Sequence, residues 1–387
     1  MGVLDAPPAP YAPAIVTPVR YPITGRVLFV ENATPHLRQG GMFNDGCGSA
    51  SPDYNVLFNG YPTLRLDPQG NTTSSSTNSQ QLTLGGSPQT LTAASSASFV
   101  TTSAQTGSPT VDTGGGYIVL NTPSSSGSWQ TTSGNSAVLS YTSAVVSGTA
   151  NNWTVTFSGT KLVVLPGSPD TSITTANIGT ATCIVNNPNP HAGNSPNTSG
   201  TVTKRRIDDE YTGRFGNAMW FRPTSKSSAS ANTALISVSL YNRDGTNQNA
   251  ARMMFQLAIG MNPASNWNND NTLLWYLDNA APIGGAQRYV PFAFTTKNAM
   301  SQHSWDPVGG SWDDAGVWRY VKVRADFSVT QYIDITVDGT VYSSMAGRSM
   351  VSISSTGAKS MHFSMEYAQT SGTRRFINLG KVVGTAE

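Results

Sequence analysis

The chain has 387 residues, long for one domain and enough for two. Charged residues make up 11% and the net charge is +2, too small to suggest the clustered basic face expected of a nucleic-acid binder. Without an apolar run of about 18 residues there is no candidate helical membrane span, so neither nucleic acid nor membrane is an expected partner.

Residues 1–23 carry Pro7, Pro8, Pro10, Pro13, Pro18 and Pro22. Proline at this density opposes helix and favours an extended, polyproline-like course. The opening MGVLDAPPAPYAP lacks a basic region followed by an apolar one, so no secretory signal is expected. Tyr11, Ile15, Val16, Val19 and Tyr21 punctuate this stretch with apolar side chains. Two readings stand: a disordered tail, or a strap lying in a groove of a neighbouring subunit and tying a homo-oligomer together.

Ordinary globular sequence follows from 24 to 68, with strands expected at GRVLFVE (25–31) and around YPTLRLDPQG (61–70), where Leu64 and Leu66 alternate with Arg65 and Asp67. From 69 to 202 only Asp112, Lys161 and Asp170 are charged, and Ser, Thr, Gly and Asn dominate. A disordered linker of this composition lacks apolar blocks. Here strand-length runs recur at 81–84, 117–120, 137–146, 153–157, 161–165 and 180–185, separated by turn residues. The block reads as a small folded β-sandwich.

At 204 charge returns. The triplet Lys204-Arg205-Arg206 is answered at once by Asp208-Asp209-Glu210, which favours local pairing over a phosphate track. Strands are expected in RFGNAMWFRP (214–223), ALISVSLYNRDG (234–245), ARMMFQLAIG (251–260), NTLLWYLDN (271–279), SMHFSMEYA (360–368) and RRFINLGKVVG (374–384). The most regular stretch, WRYVKVRADFSVTQYIDITVDG, spans 318–339. Val321, Val323, Ala325 and Phe327 alternate with Lys322, Arg324 and Asp326, so the first group is expected inside and the second outside. By the same alternation Ile333, Ile335 and Val337 face inward and Tyr332, Asp334 and Thr336 outward. Asp338-Gly339 then suits a two-residue hairpin turn. No amphipathic helix of about ten residues or more is present, so the fold class is all-β.

The C-terminal half resembles the concanavalin A/laminin-G type of jelly roll. The likeness rests on Arg214-Phe215 leading into Met219-Trp220-Phe221-Arg222, on the strand opened by Trp318, on I-x-I-x-V-D-G at 333–339, and on FINLGKVVG as a closing strand. TLRLDPQG resembles that family's opening segment. The resemblance implies a jelly-roll domain made of 24–68 plus 203–387, with 69–202 as an inserted β-sandwich and 1–23 as an extended arm. In overall style the chain is also similar to virion proteins of tailed phages, of the minor tail or capsid decoration type. That implies a non-enzymatic structural or adhesive role in the virion, among other virion proteins.

Chemistry-bearing constellations are few. The four glutamates, Glu31, Glu210, Glu366 and Glu387, form no alternating carboxylate set of the kind found in jelly-roll glycosidases, and neither G-x-S-x-G nor H-E-x-x-H occurs. Asp334 and Asp338 share a face, but a solvated strand residue and a turn former explain them. No enzyme and no cofactor are expected; a glycosidase is the last alternative. Trp267, Trp275, Trp305 and Trp312 lie with Asn269 and Asp270 in a loop-rich stretch, 261–315. Ring faces beside carboxamides and carboxylates suit a host cell-surface glycan, and packing is the competing explanation for each Trp. Calcium, which laminin-G modules often hold, would use Asp270, Asp278, Asp313 or Asp314; no calcium loop supports it, and no metal site is expected. Cys47 and Cys183 are too few for a disulfide framework, and whether they pair is open.

Overall fold

The computed structural model describes residues 25–32, 42–44, 49–67, 79–85, 90–94, 97–109, 111–121, 136–167, 172–174, 182–186, 199–207, 209–223, 234–244, 247–257, 273–279, 288–294, 318–354, 359–369 and 377–387. Its regular elements are strands, in keeping with the all-β class read from the sequence. The first are β1 (Arg26–Asn32), β2 (Met42–Asn44), β3 (Ser49–Phe58) and β4 (Tyr61–Asp67). Next come β5 (Ser79–Gly85), β6 (Thr90–Thr92), β7 (Ala97–Ser103), β8 (Gly116–Asn121), β9 (Ser136–Tyr141), β10 (Ser143–Thr149), β11 (Asn152–Leu162), β12 (Ser172–Thr174) and β13 (Thr182–Asn186). Then follow β14 (Ser199–Ile207), β15 (Arg214–Pro223), β16 (Ala234–Arg243), β17 (Asn247–Leu257), β18 (Leu273–Asp278) and β19 (Arg288–Phe294). The last are β20 (Arg319–Asp326), β21 (Gln331–Val337), β22 (Thr340–Tyr342), β23 (Val351–Ser354), β24 (Ser360–Gln369) and β25 (Ile377–Ala386).

Two eight-stranded antiparallel sheets form a sandwich. The front sheet runs β22-β21-β20-β15-β25-β4-β3, with β1 also on β25; the back sheet runs β19-β18-β17-β16-β24-β14-β2, with β23 on β17. Strands at the centre of a sheet carry apolar residues on both faces, and β15 is one. Its Phe215, Met219 and Phe221 enter the interior, where they meet Val321 and Val323 from the front and Val238, Leu240, Met253, Phe363 and Met365 from the back. Each such side chain is almost fully enclosed, and burial of one contributes about 1.5–3 kcal/mol. Asn217 shares this inward face. Its amide spans the gap, donating to the Ser239 carbonyl at 2.8 Å and the Ser364 carbonyl at 3.2 Å, which ties the sheets at one register.

The regular stretch at 318–339 behaves as expected at its turn and departs from expectation before it. Asp338 and Gly339 take φ of 47° and 85°, the pair of positive values a two-residue hairpin needs. In β21, however, Tyr332 is 2% exposed and Ile333 only half-buried. A bulge explains it: Arg324 pairs with Asp334 and Ala325 with Tyr332, leaving Ile333 as the extra residue. One inserted residue inverts the faces on either side of it. Tyr332 therefore turns into the core.

Strands β5, β7, β8, β9, β10, β11 and β13 form a third, antiparallel sheet. The Ser/Thr-rich block thus folds around strand-length apolar runs, and β9, at one end of the sheet, folds back onto β11. The path β11-β7-β5-β13-β8-β9 returns to β11, closing a ring. The expected run 153–157 and the start of the run 161–165 fall in the one long β11, whose first half pairs with β10 and whose end pairs with β9. Phe99, Ile118, Leu139, Tyr141, Val155 and Phe157 fill the ring, and Leu91 from the β6–β12 pair closes it off. Closure leaves β10 as the remaining edge strand, which suits a region with few charges to guard sheet edges.

This barrel packs against the back sheet. Tyr117 of β8 meets Trp275 of β18 edge-on, with ring centroids 6.3 Å apart, and Val138 joins the same core.

Candidate functional site

The barrel meets the sandwich at the back sheet, and the outward face of the front sheet carries the most distinctive cluster of side chains. Trp220 of β15 points outward, between two inward neighbours, and pairs directly with Tyr320 of β20; their rings lie 4.6 Å apart. Phe58, at the end of β3, stands 6.1 Å from Trp220 and 4.7 Å from Trp318, which precedes β20. Edge-to-face and tilted contacts of this kind fix ring orientation.

Gly380 makes the cluster possible. It is the extra residue of a bulge in β25, lying between the pairings Trp220–Lys381 and Phe221–Leu379. A Cβ there would stand 2.5 Å from Phe58 Cγ and 2.8 Å from Trp318 Cζ3, so both rings rest on bare backbone. The strip continues outward through Tyr61, which pairs with Phe58 across the Asn59-Gly60 turn. Tyr61 is 55% exposed, whereas Trp220 is 5% exposed. The inner rings are a foundation, and Tyr61 and the half-buried Trp318 are the surface they support.

Polar groups border the strip in cross-strand rows. Lys381 lies opposite Trp220, its ammonium 5.6 Å from the indole centroid. One row on, Arg222, Asn378 and Arg65 stand side by side on β15, β25 and β4. Asn378 donates to the Thr63 hydroxyl at 2.9 Å and to the Asp53 carboxylate at 3.0 Å. Asn378 and Thr63 are fully enclosed and Arg222 nearly so, so they brace this margin, and Lys381 and Arg65 are its partly exposed polar groups beside the rings.

The other end of the same face is a closed ion network. Arg324 donates to Asp334 at 2.9 and 2.7 Å and to Glu387 at 2.8 Å. The outward Lys322 is only 4% exposed, because its stem crosses Gly216. Burial lowers its pKa, against the pull of Glu387. At the hairpin, Asp338 accepts from the Tyr320 amide at 2.8 Å and pairs with Arg319 at 2.5 Å, while desolvation raises its pKa. Asp326 lies below the ordinary carboxylate range, held there first by the Ser328 hydroxyl and then by Arg214. Asp334 and Asp338 are therefore structural anchors, each committed to a guanidinium.

One residue expected in a glycan site is relocated. Trp275 sits in β18 at 1% exposure, against Tyr117 of the barrel, and cannot meet a ligand. Trp267, Asn269, Asp270, Trp305 and Trp312 lie outside the described residues, as do Tyr11, Ile15, Val16, Val19 and Tyr21, and Cys47. Asp278, one of the carboxylates considered for calcium, is fully buried, accepting from Arg348 at 2.7 Å and from the Tyr276 hydroxyl at 3.3 Å. Among the described residues no group of three or more His, Cys, Asp or Glu is arranged to hold a metal.

No protein-family model matches the chain, and no curated protein does. Among solved structures, it is similar to the CBM2 module of an evolved Dit of Lactobacillus casei BL23 phage J-1, at 9% identity and a TM-score of 0.25 over 48% of this chain and 68% of that one. It is similar also to the alginate lyase Aly36B, at 12% identity and a TM-score of 0.26 over 49% of this chain and 76% of that one. The carbohydrate recognition domain of Emp46p is matched at 10% identity and a TM-score of 0.22, over 48% of this chain and 78% of that one. Likeness of this degree decides nothing about function.

Proposed function

We propose that this chain is a non-enzymatic structural component of a phage virion, a minor tail protein whose front sheet binds a glycan of the host surface. The observation that carries the binding reading is the ring strip from Trp220 through Trp318 to Tyr61, seated on Gly380 and bordered by the partly exposed Lys381 and Arg65. The non-enzymatic reading is supported by the ion-paired state of Asp334, Asp338, Asp326 and Asp278, which leaves these carboxylates committed to arginines. The loop residues Trp267, Asn269, Asp270, Trp305 and Trp312 form a second candidate contact set.

Affinity electrophoresis of the full chain through gels containing cell-wall polysaccharides tests the binding. The wild-type chain is retarded by at least one polymer, and Tyr61→Ala or Trp318→Ala weakens retardation about tenfold, equivalent to about 1.4 kcal/mol. Retardation equal in all three chains counts against the strip.

The virion reading is tested by assembly. Light scattering on a sizing column compares the full chain with one beginning at Ile23. A defined oligomer that dissociates without residues 1–22 is expected, with Tyr11, Ile15, Val16, Val19 and Tyr21 as anchors. Equal mass per subunit assembly in both chains would leave a free glycan-binding lectin as the better description. A capsid decoration protein remains the alternative location.

A further inference from the structure

We infer that the polymer held on the front sheet is acidic, carrying carboxylate or phosphate groups, and that Lys381 selects it. This rests on the glycan reading above and narrows it. Lys381 stands in the row of Tyr320 and Trp220, at the foot of the ring strip, with its ammonium 5.6 Å from the Trp220 centroid. The indole face attracts a cation but offers its N–H groups no lone-pair acceptor, so those donors stay available to an anion. Among the described residues Lys381 has no carboxylate partner, in contrast to Arg319, Lys322 and Arg324 on the same sheet, each of which is paired with one.

The next row places Arg222 and Arg65 on either side of Asn378, and the nearby carboxylate, Asp53, accepts from the Asn378 amide. Arg222 and Arg65 have interactions of their own and Arg222 is only 8% exposed, so the partly exposed Lys381 is the cation that an anion at this margin would meet. A neutral sugar has no use for such a cation. A residue with an anion about one sugar ring away from the stacking surface does.

Titration calorimetry of the full chain separates the cases, using a polyuronate, a polymer with a glycerol-phosphate backbone, and an uncharged polysaccharide. The expected result is binding to one or both acidic polymers, weakened at high salt, as partly exposed charge interactions are. Lys381→Gln then loses about three- to tenfold in affinity for the acidic polymer, the range for one partly screened charge contact, and Lys381→Arg restores most of it. Which acidic polymer binds tells carboxylate from phosphate recognition. Wild-type binding to the uncharged polymer that Lys381→Gln leaves unchanged overturns the acidic selection and spares the glycan reading. Binding to none of the three overturns both.

Discussion

Trp275→Ala lowers the stability of the protein by about 3–5 kcal/mol, the range for truncating a large buried aromatic. The indole is 1% exposed and fills the join between the back sheet and the barrel, with Tyr117 edge-on at 6.3 Å. Truncation leaves a cavity bounded by two separate hydrogen-bonded frameworks, neither of which can collapse into it. Trp275→Phe costs far less, below about 1.5 kcal/mol, because most of the apolar volume is kept. The indole N–H adds no penalty: it is buried without a hydrogen-bond partner. Calorimetric unfolding of both variants checks this. The alanine variant should also separate a barrel transition from the sandwich transition, since the contact coupling them is lost.

Tyr332→Phe is the second large effect. The bulge at Ile333 turns Tyr332 into the core, where its hydroxyl accepts from the Arg252 amide at 2.8 Å and donates to the Leu277 carbonyl at 2.7 Å. Removing one oxygen leaves both backbone groups facing an apolar ring. Each buried group left unsatisfied costs about 1–3 kcal/mol. Burial also holds the phenol well above its ordinary pKa, so the hydroxyl stays protonated and keeps donating through the alkaline range. Urea unfolding should show a lower midpoint with an unchanged slope. A midpoint within error of wild type would mean the hydroxyl is not the bridge between β21 and the β17–β18 pair.

Strand identity was legible because period-two alternation survives wherever one face is buried and one is wet. The face of Tyr332 was not, since a bulge adds one residue and nothing in T-Q-Y-I-D-I marks which residue is extra. Lys322 followed its expected face yet is enclosed, because Gly216 on the next strand leaves room for its stem to lie flat. Closure of the barrel depends on β11 being long enough to serve β10 and then β9 besides β7, a property visible only when 153–157 is read on as one strand through 162. The ring strip was in plain view as Trp220-Phe221-Arg222 and Trp318-x-Tyr320. Its rings come from distant segments, however, and Gly380, the residue that lets them meet, looks like any other glycine. Trp275 shows the converse: a tryptophan in a polar, loop-rich neighbourhood of the sequence turned out to be core, as its place within the apolar run LLWYLD allows.

The central claim is that the front sheet is the ligand face, and hydrogen–deuterium exchange of the full chain with and without a bound polysaccharide tests it most directly. The account predicts slower exchange on binding in β3 and β4 near Phe58 and Tyr61, at the start of β20, and around Gly380 of β25. Protection confined to 261–315, with β3, β4, β20 and β25 unchanged, would contradict it and move the site to the loops.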